Sequence, residues 1–200
     1  MIGVIDVGYG NTGSVLRALE RIDAPVKAVS MPEDAAGVDR WILPGVGAFG
    51  PGLRALQQSG LLPILHACVL EQDMPLLGIC LGMHLLARGS EEGGGDGLGW
   101  LPADIRRLTP LAPLRCPHMG WNTILSDRAD PLLAGLEANA SFYFAHSYRA
   151  VCEADVVAAT TDYGERFPAV VRCGSVVGVQ FHPEKSHAAG LRFLANFAQG

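Results

Sequence analysis

The stretch Gly78-Ile79-Cys80-Leu81-Gly82 constrains the fold more than any other part of this 200-residue chain. Residues 75–79 are an apolar run of strand length, and residues 81–88 read as a helix, so the chain passes from strand to helix through a cysteine. A tight turn of that kind is the thiol counterpart of the G-x-S-x-G elbow, which holds a nucleophile out above the end of a sheet. Glycines two positions before and after Cys80 let strand and helix approach without Cβ clashes. A thiol at the start of a helix also meets unpaired N–H groups and the positive end of the helix dipole, both of which favour thiolate.

A second stretch, Gln180-Phe181-His182-Pro183-Glu184, supplies what such a thiol needs. His182 and Glu184 stand at i and i+2 on the same side of an extended chain, after the apolar residues 176–181, with Pro183 fixing the backbone between them. An imidazole can serve the thiol as base and then the leaving amine as acid, while the carboxylate orients the ring. Cys80, His182 and Glu184 are therefore expected to form a catalytic triad for cleaving an amide. Acyl transfer also needs N–H groups facing the developing oxyanion. Leu81 supplies one, and the glycine-rich segment after another strand, Leu43-Pro44-Gly45-Val46-Gly47-Ala48-Phe49-Gly50, is expected to supply the second from the Val46 and Gly47 peptides.

The rest of the chain fits one compact domain spanning residues 1–200, with 49% hydrophobic and 18% charged residues. Strand-like segments at 2–7, 26–29, 40–43 and 75–79 alternate with helical ones at 53–58, 62–72 and a first helix that Ser14 is expected to cap. This spacing implies right-handed crossovers and a mostly parallel sheet, hence a three-layer α/β fold with its chemistry at the carboxyl ends of the strands. Residues 89–99 (GSEEGGGDGLG) read as a flexible loop. Short strands are expected at 103–108, 118–125, 141–148, 156–161, 169–172 and 176–182, and a helix at 186–198.

Composition excludes several functions. A net charge of −5 without any Lys/Arg cluster argues against a nucleic-acid partner. Five cysteines lacking C-x-x-C spacing suggest reduced thiols in a cytoplasmic protein, with neither a metal site nor a cofactor. The N-terminus lacks the basic region of a signal peptide, and the longest apolar run, 61–70, is too short for a bilayer. Gly8-Tyr9-Gly10-Asn11-Thr12-Gly13 matches G-x-G-x-x-G, but Asp23 lies at a helix end and not after a second strand, so a turn lining the cleft is expected in place of a dinucleotide loop. Cys68, Cys152 and Cys173 read as small buried hydrophobes, and the aromatic stretches 118–122 and 143–148 as core or sheet-face residues.

Taken together, these motifs resemble the class I (triad) glutamine amidotransferases, and within them the glutaminase subunits of imidazole glycerol phosphate synthase. Gly-Ile-Cys-Leu-Gly-Met at 78–83 and His-Pro-Glu at 182–184 mark the class. Leu-Pro-Gly-Val-Gly-Ala-Phe at 43–49, Pro-His-Met-Gly-Trp-Asn at 117–122 and the run continuing through Lys185-Ser186 mark the subfamily. The resemblance covers essentially the whole chain and implies a flavodoxin-like domain that hydrolyses L-glutamine through a γ-glutamyl thioester on Cys80. It implies that Gly45, Gly47, Leu81, Ser147 and Tyr148 hold glutamine or the oxyanion. It also implies a (β/α)8-barrel partner that receives the ammonia, faced by Trp121, Tyr143 and Lys185, one of only two lysines in the chain. One position departs from the pattern: His84 stands where the family usually has Gln. An imidazole there is shorter and ionisable near neutrality, which implies weaker glutamine binding or added pH dependence. Two other readings share these residues: an amidotransferase feeding a different synthase, and a non-catalytic binding subunit.

Overall fold

The computed structural model describes residues 1–93, 95–126 and 128–200. Five parallel strands form the centre of the molecule: β1 (Ile2–Ile5), β2 (Val26–Val29), β3 (Arg40–Gly45), β4 (Leu76–Cys80) and, from far along the chain, Val176–Val179. They lie in the order β2-β1-β3-β4 followed by Val176–Val179, the doubly wound order 2-1-3-4-5. Alternation along each strand sends side chains to two cores. Val4, Ile42, Ile79 and Val179 pack against α1 (Thr12–Glu20) and the C-terminal helix His187–Gln199 on one face. Ile5, Leu43, Leu76 and Val176 pack against α2 (Phe49–Gln58), α3 (Leu62–His66) and α4 (Leu81–Leu86) on the other. The result is the expected three-layer α/β arrangement.

The second half of the chain differs more from expectation. Residues 89–99 are pinned, not loose: β5 (Gly89–Ser90) and β6 (Gly95–Asp96) pair with each other, and β5 pairs with β7 (Ala103–Arg107). Gly94, in the same expected loop, lies outside the described residues. Gly97, Leu98 and Gly99 donate to the carbonyls of Arg88, Leu85 and Ala87, and a Cβ on Gly97 would sit 2.2 Å from the Ala87 oxygen. Gly97 serves close packing there, while Gly93 and Gly99 supply positive φ. Next come β8 (His118–Thr123) and β9 (Leu125–Ser126), which together replace the single strand expected at 118–125.

The strand expected at 141–148 breaks at Ser147. Its first part, β10 (Ser141–His146), pairs with β8, whereas β11 (Tyr148–Cys152) pairs with β7 in another sheet. Then β12 (Val157–Asp162) and β13 (Arg166–Cys173) form an antiparallel pair, and β13 meets β14 (Val176–Val179), the fifth strand of the parallel set. The chain ends in α5 (His187–Gln199).

Several boundaries shift for local reasons. α1 begins at Thr12 with no side-chain cap, and Ser14 instead accepts a hydrogen bond from Arg17 at 2.9 Å. The helix expected over 62–72 widens into a π-turn at Ala67–Glu71, which keeps both Leu65 and Val69 in the core. α2 starts earlier, at Phe49, whose ring is buried. α4 stops at Leu86 because Arg88 turns to bond the Ala103 carbonyl and Asp104. All five cysteines are free, and Cys80 alone is buried: Cys68 and Cys152 are half-buried, and Cys173, at the hairpin end of β13, is exposed. Among the described residues no helix is long and apolar enough to cross a membrane.

Candidate active site

The carboxyl ends of β3, β4 and β14 converge, and every residue of the expected triad lies there. Cys80 ends β4 with φ +52° and ψ −107°, a strained conformation for a residue with a side chain. Three glycines make that turn possible. A Cβ on Gly82 would lie 1.9 Å from the Leu43 carbonyl, one on Gly45 2.6 Å from the Gly82 nitrogen, and one on Gly78 2.8 Å from the Met83 nitrogen. α4 therefore sits directly on β3 and β4. It is only six residues long, so its dipole contributes less at the sulfur than the sequence suggests.

The titratable group set against the sulfur is His182. Its ring is 2% exposed, and its Nδ1 pairs with Glu184 Oε1 at 2.9 Å, leaving Nε2 for the Cys80 side chain with which it interacts. Burial by itself would lower the imidazole pKa. The hydrogen bond and charge of Cys80, followed by those of Glu184, overturn that effect and hold it at about 10. At neutral pH the proton already sits on His182, which places a cationic imidazole beside the Cys80 side chain. The resting role of His182 is thus less a base than an acid in waiting. The Glu184 side chain is 2% exposed and its Oε2 has no hydrogen-bond partner among the described residues, so the imidazolium is its chief compensation.

Ser186 holds this segment in place. Its hydroxyl donates to the His182 carbonyl at 2.6 Å and accepts the Tyr143 N–H at 3.0 Å, while the His182 N–H donates to the Tyr143 carbonyl. Gly190 lets α5 pack beneath the turn, since a Cβ there would meet the Pro183 oxygen at 1.9 Å.

Cys80, Leu81, His84 and His182 line a cavity of about 320 Å³ together with Val46, Gly47, Ser147 and Tyr148. Gly45 does not line it; its role is the close contact with α4. The Val46 N–H donates to the Tyr9 carbonyl at 3.3 Å, so of the two peptides expected to supply the second oxyanion donor, Val46 and Gly47, the first is occupied elsewhere. Gly47, with φ +96°, lies at the rim in a conformation open to glycine.

His84 differs from expectation too. It is buried, and burial lowers its pKa to about 4 against a raising hydrogen bond with Gln180, so it is neutral at physiological pH. Its Nε2 lies 3.0 Å from Gln180 Oε1, and Gln180 Nε2 points at the Cys80 sulfur from 3.9 Å. The imidazole hydrogen is spent on Gln180, which in turn offers an amide hydrogen toward the nucleophile.

Sequence reasoning gave no role to Gln180, Ser186 or Glu92. The first two lie inside the 180–186 motif, but their tasks depend on partners far away in the chain. Glu92 was hidden in the presumed loop. It lines the cavity, where its Oε2 accepts the Phe49 N–H at 3.1 Å.

Beside the cavity, Trp121 and Tyr143 are register partners across β8 and β10 with ring centroids 6.0 Å apart, and Lys185 Nζ lies 5.6 Å over the Tyr143 ring. Trp121 is 49% exposed and Met119, at the cavity mouth, 64%.

A family model described as class-I glutamine amidotransferase matches residues 3–199. The chain belongs to the class I glutamine amidotransferases. This amidotransferase is 42% identical to imidazole glycerol phosphate synthase subunit HisH 2 of Pseudomonas aeruginosa over 100% of this chain and 99% of that one. It is 46% identical to subunit HisH of Xanthomonas campestris over 99% and 96%, and 45% identical to that of Moorella thermoacetica over 99% and 94%. Among solved structures it superposes on a crystal structure of a glutamine amidotransferase with TM-score 0.74 at 25% identity, covering 100% of this chain and 99% of the other. PurLQS from Thermotoga maritima shares the fold, with TM-score 0.74 at 18% identity over 99% and 97% of the two chains.

Proposed function

We propose that this amidotransferase is the glutaminase subunit of imidazole glycerol phosphate synthase, acting in histidine biosynthesis in the cytoplasm as one domain. The observation that carries the chemistry is the line Cys80–His182–Glu184, in which His182 is ion-paired to Glu184 and interacts with Cys80, whose sulfur lines a cavity large enough for glutamine. The Cys80 thiolate attacks the side-chain amide carbon, and the carbonyl electrons move onto oxygen facing the Leu81 N–H. Collapse of this intermediate breaks the C–N bond as His182 gives its proton to the leaving nitrogen, releasing ammonia and a γ-glutamyl thioester. His182, now neutral, takes a proton from water as it attacks the thioester, and glutamate leaves with the thiolate restored.

Glu92 is the carboxylate suited to the substrate ammonium, and the Ser147–Tyr148 main chain borders the same cavity. Turning the Val46 peptide away from Tyr9 would present a second oxyanion donor, a motion that a docked partner can favour. That partner is a (β/α)8-barrel cyclase covering Trp121, Tyr143 and Lys185. The exposed Trp121 ring, the half-buried Tyr143 ring and a single exposed lysine suit a surface with an acidic anchor. Ammonia passing to it would form imidazole glycerol phosphate and aminoimidazole carboxamide ribotide.

The test is glutamate release measured with the chain alone, with a barrel subunit, and with Cys80→Ala. Partner-stimulated turnover that vanishes in the variant is expected. Absence of hydrolysis in every case would favour a non-catalytic subunit, and stimulation only by a different synthase would change the acceptor.

A further inference from the structure

Behind the Ser147–Tyr148 segment runs a line of polar groups, two buried imidazoles and a half-buried amide, that the proposed chemistry does not use. It begins at Asn122, whose amide orientation is fixed on both sides: Oδ1 accepts the Thr123 N–H at 2.8 Å and Nδ2 donates to the Asp162 carbonyl at 2.8 Å. The other Nδ2 hydrogen faces His118 Nε2 at 3.3 Å. His118 Nδ1 lies 2.9 Å from His146 Nε2, and His146 Nδ1 lies 2.8 Å from the Tyr148 carbonyl oxygen. A carbonyl only accepts, so His146 carries its hydrogen on Nδ1. Burial keeps both rings neutral, His146 near a pKa of about 3 and His118 near about 4. His146 Nε2 is then an acceptor, His118 donates from Nδ1, and His118 Nε2 accepts from Asn122. One tautomer of each ring satisfies every group.

His118 is gripped between the rings of Phe144 and Tyr163, with centroids 4.7 and 4.0 Å away. The line ends where the chain leaves one sheet for another. At that corner the other contacts to the Ser147–Tyr148 main chain are the Leu108 N–H and the Cys116 thiol, at 3.9 Å, on the Ser147 carbonyl, and the pairing of Tyr148 with Arg107. His146 itself borders the Cys80 cavity, and Asn122 adjoins Trp121 on β8.

We propose that Asn122, His118 and His146 form a positioning relay for glutamine, which fixes the Tyr148 carbonyl and with it the main chain that borders the cavity. The relay rests on the reading that residues 147–148 hold the substrate, and it ties that segment to the strand carrying Trp121. Its members are positioning residues, since none of them is required to touch the reacting atoms.

Two measurements on the full chain test it. Imidazole nitrogen NMR near neutral pH should show both His118 and His146 as the Nδ1–H tautomer, and an Nε2–H signal from either overturns the relay. In glutaminase assays with the barrel subunit, His118→Phe keeps the stack but removes both hydrogen bonds. KM for glutamine should rise about tenfold, the loss of roughly one buried hydrogen bond, while kcat changes by less than about threefold. Asn122→Ala, the milder variant should His118→Phe fold poorly, should raise KM by about threefold. An unchanged KM alongside Cys80-dependent hydrolysis and a lowered melting temperature would make these residues merely structural, overturning the relay and sparing the glutaminase reading. Absence of hydrolysis by the unaltered chain with its partner would sink both together.

Discussion

Replacing Gly82 by Ala is the sharpest single probe of how the nucleophile is held. The added methyl would lie 1.9 Å from the Leu43 carbonyl oxygen, where a relaxed carbon–oxygen contact is about 3.3 Å. Both atoms belong to regular elements, so α4 must lift from β3 by roughly 1.4 Å, the difference between those distances. Cys80 sits at the root of α4 and moves with it. Overpacking of this kind costs about 1–3 kcal/mol, which for a chain of this size lowers the melting temperature by roughly 2–12 °C. The larger effect is expected on catalysis, because a displacement of about 1 Å at a reacting group costs on the order of a hundredfold. Glutaminase kcat/KM with the barrel subunit and a thermal melt should therefore diverge, with activity lost while most of the protein stays folded at 25 °C. Gly13→Ala in α1 is the control: its nearest neighbour is the mobile end of Arg17 at 3.3 Å, and a helical alanine there should stabilise by about 0.5–1 kcal/mol. Activity of Gly82→Ala within threefold of the parent would refute the packing argument.

Cys80→Ala should also lower the His182 pKa markedly from about 10, since burial then acts with the sulfur's contribution removed; an NMR titration that leaves it unmoved would show that Glu184 alone carries the shift. The raised value means that the stability owed to the charged ring is complete below the unfolded pKa of 6.5 and fades as pH climbs through about 10, which alkaline melts can follow. His84→Gln should leave the pH–rate profile unchanged across neutrality, because the native ring titrates near 4; an inflection near pH 7 that disappears in the variant would contradict its burial. Asp130→Ala removes the carboxylate that Arg172 grips with bonds of 2.6 and 2.8 Å, and because the stranded guanidinium is partly exposed, urea unfolding should show a loss of about 1–3 kcal/mol. Burial would raise the Asp130 pKa, but Arg172 and the Leu132 N–H more than reverse this. Its contribution is accordingly full above 3.8 and lost as pH falls through the lower folded value.

The sheet and the elbow were legible because they depend on local patterns. Residues 2–5, 26–29 and 76–79 are nearly unbroken apolar runs, and Gly78 and Gly82 announce the strand-to-helix turn. Other features depend on partners that the local sequence does not name. Residues 89–99 look like a flexible loop because glycine signals freedom and close contact alike, and only the carbonyls of Leu85, Ala87 and Arg88 decide between them. The break at Ser147 is invisible in an aromatic run that continues its alternation, since its cause is the pairing of β11 with β7. His118 and His146 look like ordinary strand residues until β8 and β10 bring them together. His84 looks titratable until Gln180, nearly a hundred residues on, closes over it.

The order of the parallel strands has a consequence for biosynthesis. β14 follows β13 along the chain, yet it is inserted between β4 and β13, in the middle of the sheet. A nascent polypeptide that has emerged only through β13 exposes an unzipped seam there, and it lacks the imidazole that arms the sulfur. The reactive centre is thus completed only when β14 closes that seam and carries His182 to Cys80.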